Sequence, residues 1–132
     1  MPAEFFVDEN DLALGKALDE QYGTVVYPGH PDLPAVPRGS LDDEWLPIVG
    51  RERLVVITRD QRIRYRTVEK QLWKEHGVRG FVLTGRTSQS TEASLRILAR
   101  HWPELTSLAT ARPDGPWMYA VTTGRVQEIS LG

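Results

Sequence analysis

Short apolar runs that end abruptly in an aspartate occur twice along this chain. Phe5-Phe6-Val7 runs into Asp8-Glu9-Asn10, and Leu54-Val55-Val56-Ile57 runs into Thr58-Arg59-Asp60. A continuous apolar run bounded by polar turn residues is the pattern of a strand buried on both faces of a parallel sheet. Around these runs strand and helix alternate, which predicts a parallel sheet with crossover helices. The first strand covers about Glu4 to Asp8. A helix follows from about Asp11 to Gln21, with Leu14, Ala17, Leu18 and Tyr22 at helical spacing and Gly23 ending it. Thr24 to Tyr27 reads as the second strand.

Residues 28–41 form a Pro-rich loop, in which the stretch PGHPDLPAVPRG places four prolines in twelve residues. A loop of that length inside a compact domain is usually functional or mobile. A short helix is expected from Asp42 to Val49, broken at Gly50, with Pro47 an awkward resident because it removes a backbone hydrogen bond. Leu54 to Thr58 is the third strand. Thr67 caps a helix to His76, which Gly77 closes. Val78 to Thr84 is the fourth strand. Leu95, Leu98, Ala99 and Trp102 fall at i, i+3, i+4 and i+7, predicting a helix that Pro103 stops. Trp117–Thr122 and Arg125–Leu131 predict two strands joined at Thr123-Gly124, a C-terminal β-hairpin within 116–131. The expected architecture is a three-layer α/β/α sandwich with a mainly parallel central sheet, in one domain spanning 1–132.

Composition changes this picture little. With 132 residues, 40% hydrophobic and 26% charged, the chain is long enough for one real core. No run reaches the roughly 18–20 apolar residues that span a bilayer, and the N-terminus lacks the pattern of a signal peptide. The expectation is a cytoplasmic protein with no membrane partner. The absence of cysteine excludes disulfides, thiolate zinc sites and cysteine nucleophiles. A net charge of −2 argues against an indiscriminate nucleic-acid binder, while leaving room for a local basic patch.

The chemistry lies in the acids. In open α/β sheets ligands bind outside the carboxyl ends of the strands, where Asp8 and Asp60 fall. If the two strands are neighbours, about 4.8 Å apart, the carboxylates converge and repel, and a divalent cation is the usual remedy. Either aspartate alone could be a turn signal, but two such junctions in one sheet shift the balance. A third acid is expected from Asp42, Asp43 or Glu44. Trp45, Leu46 and Val49 lie at i+3, i+4 and i+7 from Asp42, so Asp42 tops the apolar stripe, with Asp43 rotated away by roughly 100°. The competing explanation is the ordinary enrichment of acids at a helix N-terminus. Asn10 or Asp11 is expected to cap the first helix.

Arg59, Arg62, Arg64 and Arg66, with Tyr65 among them, follow at the same strand end. Arginine forks suit phosphates and a tyrosine ring can stack on a base, although a solvated basic face accounts for most such runs. Glu69 either completes the acidic set or pairs with one of these arginines. The three histidines, His30, His76 and His101, form no metal site by spacing, and the four tryptophans read as packing residues.

At Val7-Asp8-Glu9-Asn10, Asp42 and Ile57-Thr58-Arg59-Asp60 the chain resembles the PIN-like nucleases, and in particular the VapC-type toxins of toxin–antitoxin pairs. The resemblance runs from about Phe5 to Asp60, with the order of elements continuing to about Trp102. It implies a twisted parallel sheet, metal acids at Asp8, Asp42 and Asp60 holding Mg²⁺ or Mn²⁺, and endonucleolytic cleavage of RNA. The family's later fourth acid has no clean match, Glu69 being an imperfect stand-in. The implied partners are an RNA substrate and a cognate antitoxin, with a homodimer allowed. Two other readings compete. One is a catalytically silent PIN-like module that only binds a partner. The other is a receiver-type phosphoacceptor domain, which needs a lysine at the end of a late strand, whereas Lys16, Lys70 and Lys74 all fall on predicted helices.

Overall fold

Neighbouring side chains of the buried strands go to opposite faces of one sheet, and helices cover both faces. The structure, a computed structural model, describes residues 3–60, 66–85 and 90–132. In chain order these form β1 (Phe5–Val7), a 3₁₀ turn (Glu9–Asp11), α1 (Leu12–Tyr22), β2 (Val25–Val26), α2 (Asp42–Arg51), β3 (Val55–Thr58), α3 (Thr67–His76), β4 (Arg79–Leu83), α4 (Thr91–Ala111), β5 (Trp117–Val121) and β6 (Val126–Ile129). The sheet order is β2-β1-β3-β4-β5-β6. β1 to β5 pair in parallel and β6 returns antiparallel to β5. This is the expected α/β fold with its C-terminal hairpin.

Pleating divides the core. Phe5 and Val7 face α1 and α4, packing with Leu14, Leu18, Leu98 and Leu105. Phe6 faces α2 and α3, packing with Trp45, Leu46, Val49 and Trp73. β1 and the first three residues of β3 are therefore apolar at every position, which is why these two runs show no polar alternation. Trp102 stacks on Tyr22 at 4.0 Å between ring centroids, tying α4 to α1.

Two expected helix ends move. Gly50 lies inside α2, because a Cβ there would collide with the carbonyl oxygen of His76 at the end of α3. The residue is kept for close approach of two helices rather than for chain reversal. Pro103 lies inside α4, which continues for two more turns to Ala111. Its missing N–H removes one bond to the carbonyl of Ala99, an exposed residue whose carbonyl water can serve. One turn further on, the Thr106 hydroxyl donates to the carbonyls of Trp102 and Pro103. The buried face of α4 is Ser94, Ile97, Leu98, His101 and Leu105, with Leu95 and Trp102 half-buried and Ala99 outside. Thr67 is the first residue of α3 rather than its cap, a position taken by Arg66. Gly23 and Gly77 end α1 and α3 in the left-handed conformation, as expected.

The Pro-rich loop is fastened to the body at several points. Leu33 and Val36 are buried in the α2–α3 side of the core. His30 accepts the Asp32 N–H at Nδ1 (3.0 Å), so its Nε2 carries the proton and donates to Asp19 (2.9 Å). Arg38 Nε and the Gly39 N–H both donate to Glu9 Oε1, at 2.9 and 2.6 Å.

The contact at Gly50 yields a direct check. Gly50→Ala should cost about 1–3 kcal/mol, as overpacking does elsewhere, despite alanine's better helix propensity. Urea unfolding of the variant against wild type measures it, and equal or greater stability would show that α2 and α3 separate freely.

Candidate active site

Asp8 and Asp60 reach their places through strand pairing. β1 and β3 are neighbours in register, with Val7 opposite Ile57, so Asp8 leaves the sheet beside Thr58. The buried Thr58 hydroxyl accepts the Asp60 N–H at 3.0 Å, a short side-chain turn that folds Asp60 back toward the sheet edge. The spacing Thr-x-Asp therefore has a mechanical reason. Beyond Asp8 the chain makes a single 3₁₀ turn, in which residues three apart eclipse. That brings Asp11 beneath Asp8.

Asp11 is the acid that the sequence reading missed. It occupies the N-cap of α1, but its side chain makes no cap hydrogen bond. Instead its carboxylate accepts the Arg59 N–H (3.2 Å) and Nε–H (2.7 Å). The signal that could have found it was the Asp-x-x-Asp spacing directly after a buried strand.

A cavity of about 420 Å³ opens beside Asp8, between the 3₁₀ turn, the end of the Pro-rich loop and the first turns of α2 and α3. Asp42, Asp43 and Glu69 also line it. Asp42 Oδ1 accepts from Trp45 Nε1 at 3.1 Å, consistent with its place at the head of the apolar stripe. Asp60 is outside the lining, yet its charge acts on Asp8, as do those of Asp11 and Asp42. Asp8 itself is 6% exposed, and its Oδ1 has no hydrogen-bond partner. Glu69 Oε2, from the facing helix, is likewise buried and unpartnered. Its other oxygen lies 3.5 Å from Arg66.

Burial, above all, pushes the Asp8 carboxyl up to about 7, with the Asp11 and Asp42 charges, a hydrogen bond to Asp11 and the Asp60 charge adding to it. Glu9 behaves oppositely: the Gly39 N–H and Arg38 hold it below the usual carboxylate value. Two carboxylates in consecutive positions are thus set to different tasks, one fastening the loop and the other a strained acid at the cavity.

Of the basic residues, Arg59 is turned inward to Asp11 and Arg66 stands exposed at the start of α3. Arg62, Arg64 and Tyr65 lie outside the described residues. No group of three or more Asp, Glu or His side chains among the described residues forms a ready-made metal cage. The donor set nevertheless fits a hard cation. It is all oxygen, anionic, and contains two buried oxygens with no proton donor, whereas Mg²⁺ needs only one or two direct carboxylates. The lysines sit on α1 and α3, and no strand end among the described residues carries one.

The family model of the PIN-like domain matches residues 3–85, well over half of the chain and including every acid named above. PIN-like domains are commonly nucleases and typically use divalent metals. No curated protein and no solved structure matches.

The raised Asp8 value has a sign that can be tested. Between about pH 4 and 7 the folded protein holds a proton on Asp8 that the unfolded chain releases, so stability falls as pH rises through that window. Without added metal, the melting temperature should decline from pH 5 to pH 8. Asp8→Asn should flatten that decline and melt at or above wild type at pH 8. Mg²⁺ or Mn²⁺ should raise the wild-type melting temperature more at pH 8 than at pH 5. A wild-type profile indifferent to pH and cation would refute the account of Asp8.

Proposed function

The chain belongs to the PIN-like domain family, and from that premise we propose that it is a Mg²⁺- or Mn²⁺-dependent endoribonuclease acting as the toxin of a type II toxin–antitoxin pair. What carries the reading is the buried, unpartnered Asp8 oxygen among carboxylates at the carboxyl edge of the sheet. Folding alone gives no return for such an arrangement, since each acid raises the cost of ionising the next.

In this proposal Asp8, Asp42 and Asp60 hold the cation, with Glu69 as a fourth oxygen donor. When bound, the cation supplies an acidified water and neutralises charge on the phosphate under attack. The chain's own residues do the positioning. Asp11 ties Arg59 down, so that this cation stays at the base of the site without covering the cavity. The Glu9 clamp fixes the loop wall at Gly39, and the Trp45 Nε1–H orients Asp42. Arg66 at the rim, with Arg62, Arg64 and Tyr65, is assigned to the RNA strand. Single-stranded RNA is the expected form, because its bases can be splayed and its backbone brought to a recessed site. The partner-binding reading draws on the lack of a preformed three-acid cage among the described residues. A cognate antitoxin covering the acid cavity would serve either reading.

Purified protein should cleave single-stranded RNA with Mg²⁺ or Mn²⁺ and stop in EDTA. Asp8→Asn should lower the rate about a hundredfold, the scale of losing one preorganised electrostatic group. Asp42→Asn should lower it more than Asp43→Asn, since the Asp42 charge is the one that acts on Asp8. Cleavage that survives EDTA, or that Asp8→Asn leaves intact, would remove the metal-nuclease proposal and favour the silent module.

The toxin part has its own check. Expression of the wild-type chain in bacteria should slow growth, and Asp8→Asn at equal expression should relieve it. Equal harmlessness of the two would remove the toxin role and leave a general nuclease.

A further inference from the structure

Leu41 and Val68 are the only large apolar side chains among the described residues that are left mostly in water, 66% and 70% exposed. Both line the acid cavity. Folding explains neither. Leu41 is the N-cap of α2, where Ser, Thr, Asp or Asn is favoured because its side-chain oxygen accepts a first-turn amide. Glu44 Oε1 accepts the Leu41 N–H at 2.8 Å, but leucine offers no oxygen in return, and the Glu44 N–H falls back on the Leu41 carbonyl at 2.9 Å. The cap is half built. Val68 is the second residue of α3, where a β-branched side chain in water gains nothing over a straight polar one. Half-buried Leu72, one turn further along α3, continues the apolar lining on that side.

We propose that Leu41 and Val68 form an apolar slot for an unpaired base of the nucleic acid, in the same cavity as Asp8; this rests on the nuclease reading above. A phosphate or ribose gains nothing from leucine and valine, whereas a base offers two apolar faces and a polar edge. A protein partner would need an extended apolar patch within an interface of about 1,000 Å² or more. Here two exposed aliphatic groups, with half-buried Leu72 beside them, share one cavity with carboxylates, and no other large apolar side chain among the described residues is exposed. The cavity, about 420 Å³, is of small-ligand size. Because every base has such faces, the slot would grip bases with little regard to sequence. Leu41 is held by the backbone bonds of the α2 cap, so its side chain is presented from a fixed point.

The test uses a fluorescent oligouridine, and a series of the same strand in which one nucleotide at a time lacks its base. Ca²⁺ replaces Mg²⁺ to hold back cleavage. Wild type should lose about tenfold in affinity when one particular base is missing, the scale on which a lost apolar contact in a binding pocket registers. Leu41→Ser and Val68→Thr should lose a similar factor on the intact strand and little more on that abasic strand, with the salt dependence of binding unchanged. Leu41→Ser supplies the missing cap oxygen and should melt no lower than wild type, so weakened binding cannot be misfolding. Variants that bind the intact strand like wild type, or lose equally on intact and abasic strands, would overturn the slot. So would variants that leave RNA binding alone and instead shift the monomer–dimer balance in sedimentation, which would assign the two residues to contact between copies. Wild type that cleaves the strand with Mg²⁺ while the variants are indifferent overturns the slot alone. Wild type that neither binds nor cleaves overturns the nuclease reading with it.

Discussion

The parallel pairing of β1 with β3, buried on both faces, is the constraint on which the rest depends. Three register pairs, Phe5 with Val55, Phe6 with Val56 and Val7 with Ile57, set the strands side by side. All six side chains are buried, alternately toward the α1–α4 layer and the α2–α3 layer. A slip of one residue would swap the two layers' contacts along the whole strand, so the register is strongly specified. Fixing it also fixes where the strands end. Asp8 and Thr58 emerge together, and the acid cluster follows from the core.

That dependence explains how a group of mutually repelling carboxylates survives. Asp8 is nearly sealed from water and surrounded by acid charge, which by itself opposes folding. The compensation comes from apolar burial in the strands behind it and from charge pairs placed around it. Arg59 answers Asp11, while Arg38 and the Gly39 N–H answer Glu9. Both pairs join segments far apart in sequence, by 48 and 29 residues. The strain is left on Asp8, which, like Glu69, keeps one buried oxygen unpartnered beside the cavity. Local rules are broken at the same place twice more, by an exposed leucine at a helix cap and an exposed valine in a first helical turn. Proteins violate such rules mostly where function requires it.

The opposite edge of the sheet is built for stability. Arg79, at the start of β4, donates to the carbonyls of Arg53, Ala109 and Arg112, joining the ends of α2 and α4. Its guanidinium is held below its usual value by burial and by Arg53 nearby. There the polar groups are satisfied by backbone oxygen. At the carboxyl edge two buried carboxylate oxygens, on Asp8 and Glu69, have no donor among the described residues.

The sequence by itself determined the strands, their order along the chain and the two strand–aspartate junctions, while the order within the sheet came from the tertiary structure. These rest on short-range rules: unbroken apolar runs, glycine at helix ends, and turn residues after strands. It also carried the phase of α2, since Trp45, Leu46 and Val49 must face the sheet and Asp42 heads their stripe. Three features were decided only in the tertiary structure. Gly50 and Pro103 read as helix ends, but the backbone of α3 and the solvated face of α4 make them tolerable inside helices. Asp11 read as a helix cap, but Arg59, 48 residues away in sequence, claims its carboxylate. Leu41 and Val68 look like ordinary apolar residues in the chain. Their exposure at one cavity depends on two helices and a loop meeting there, which no local pattern encodes.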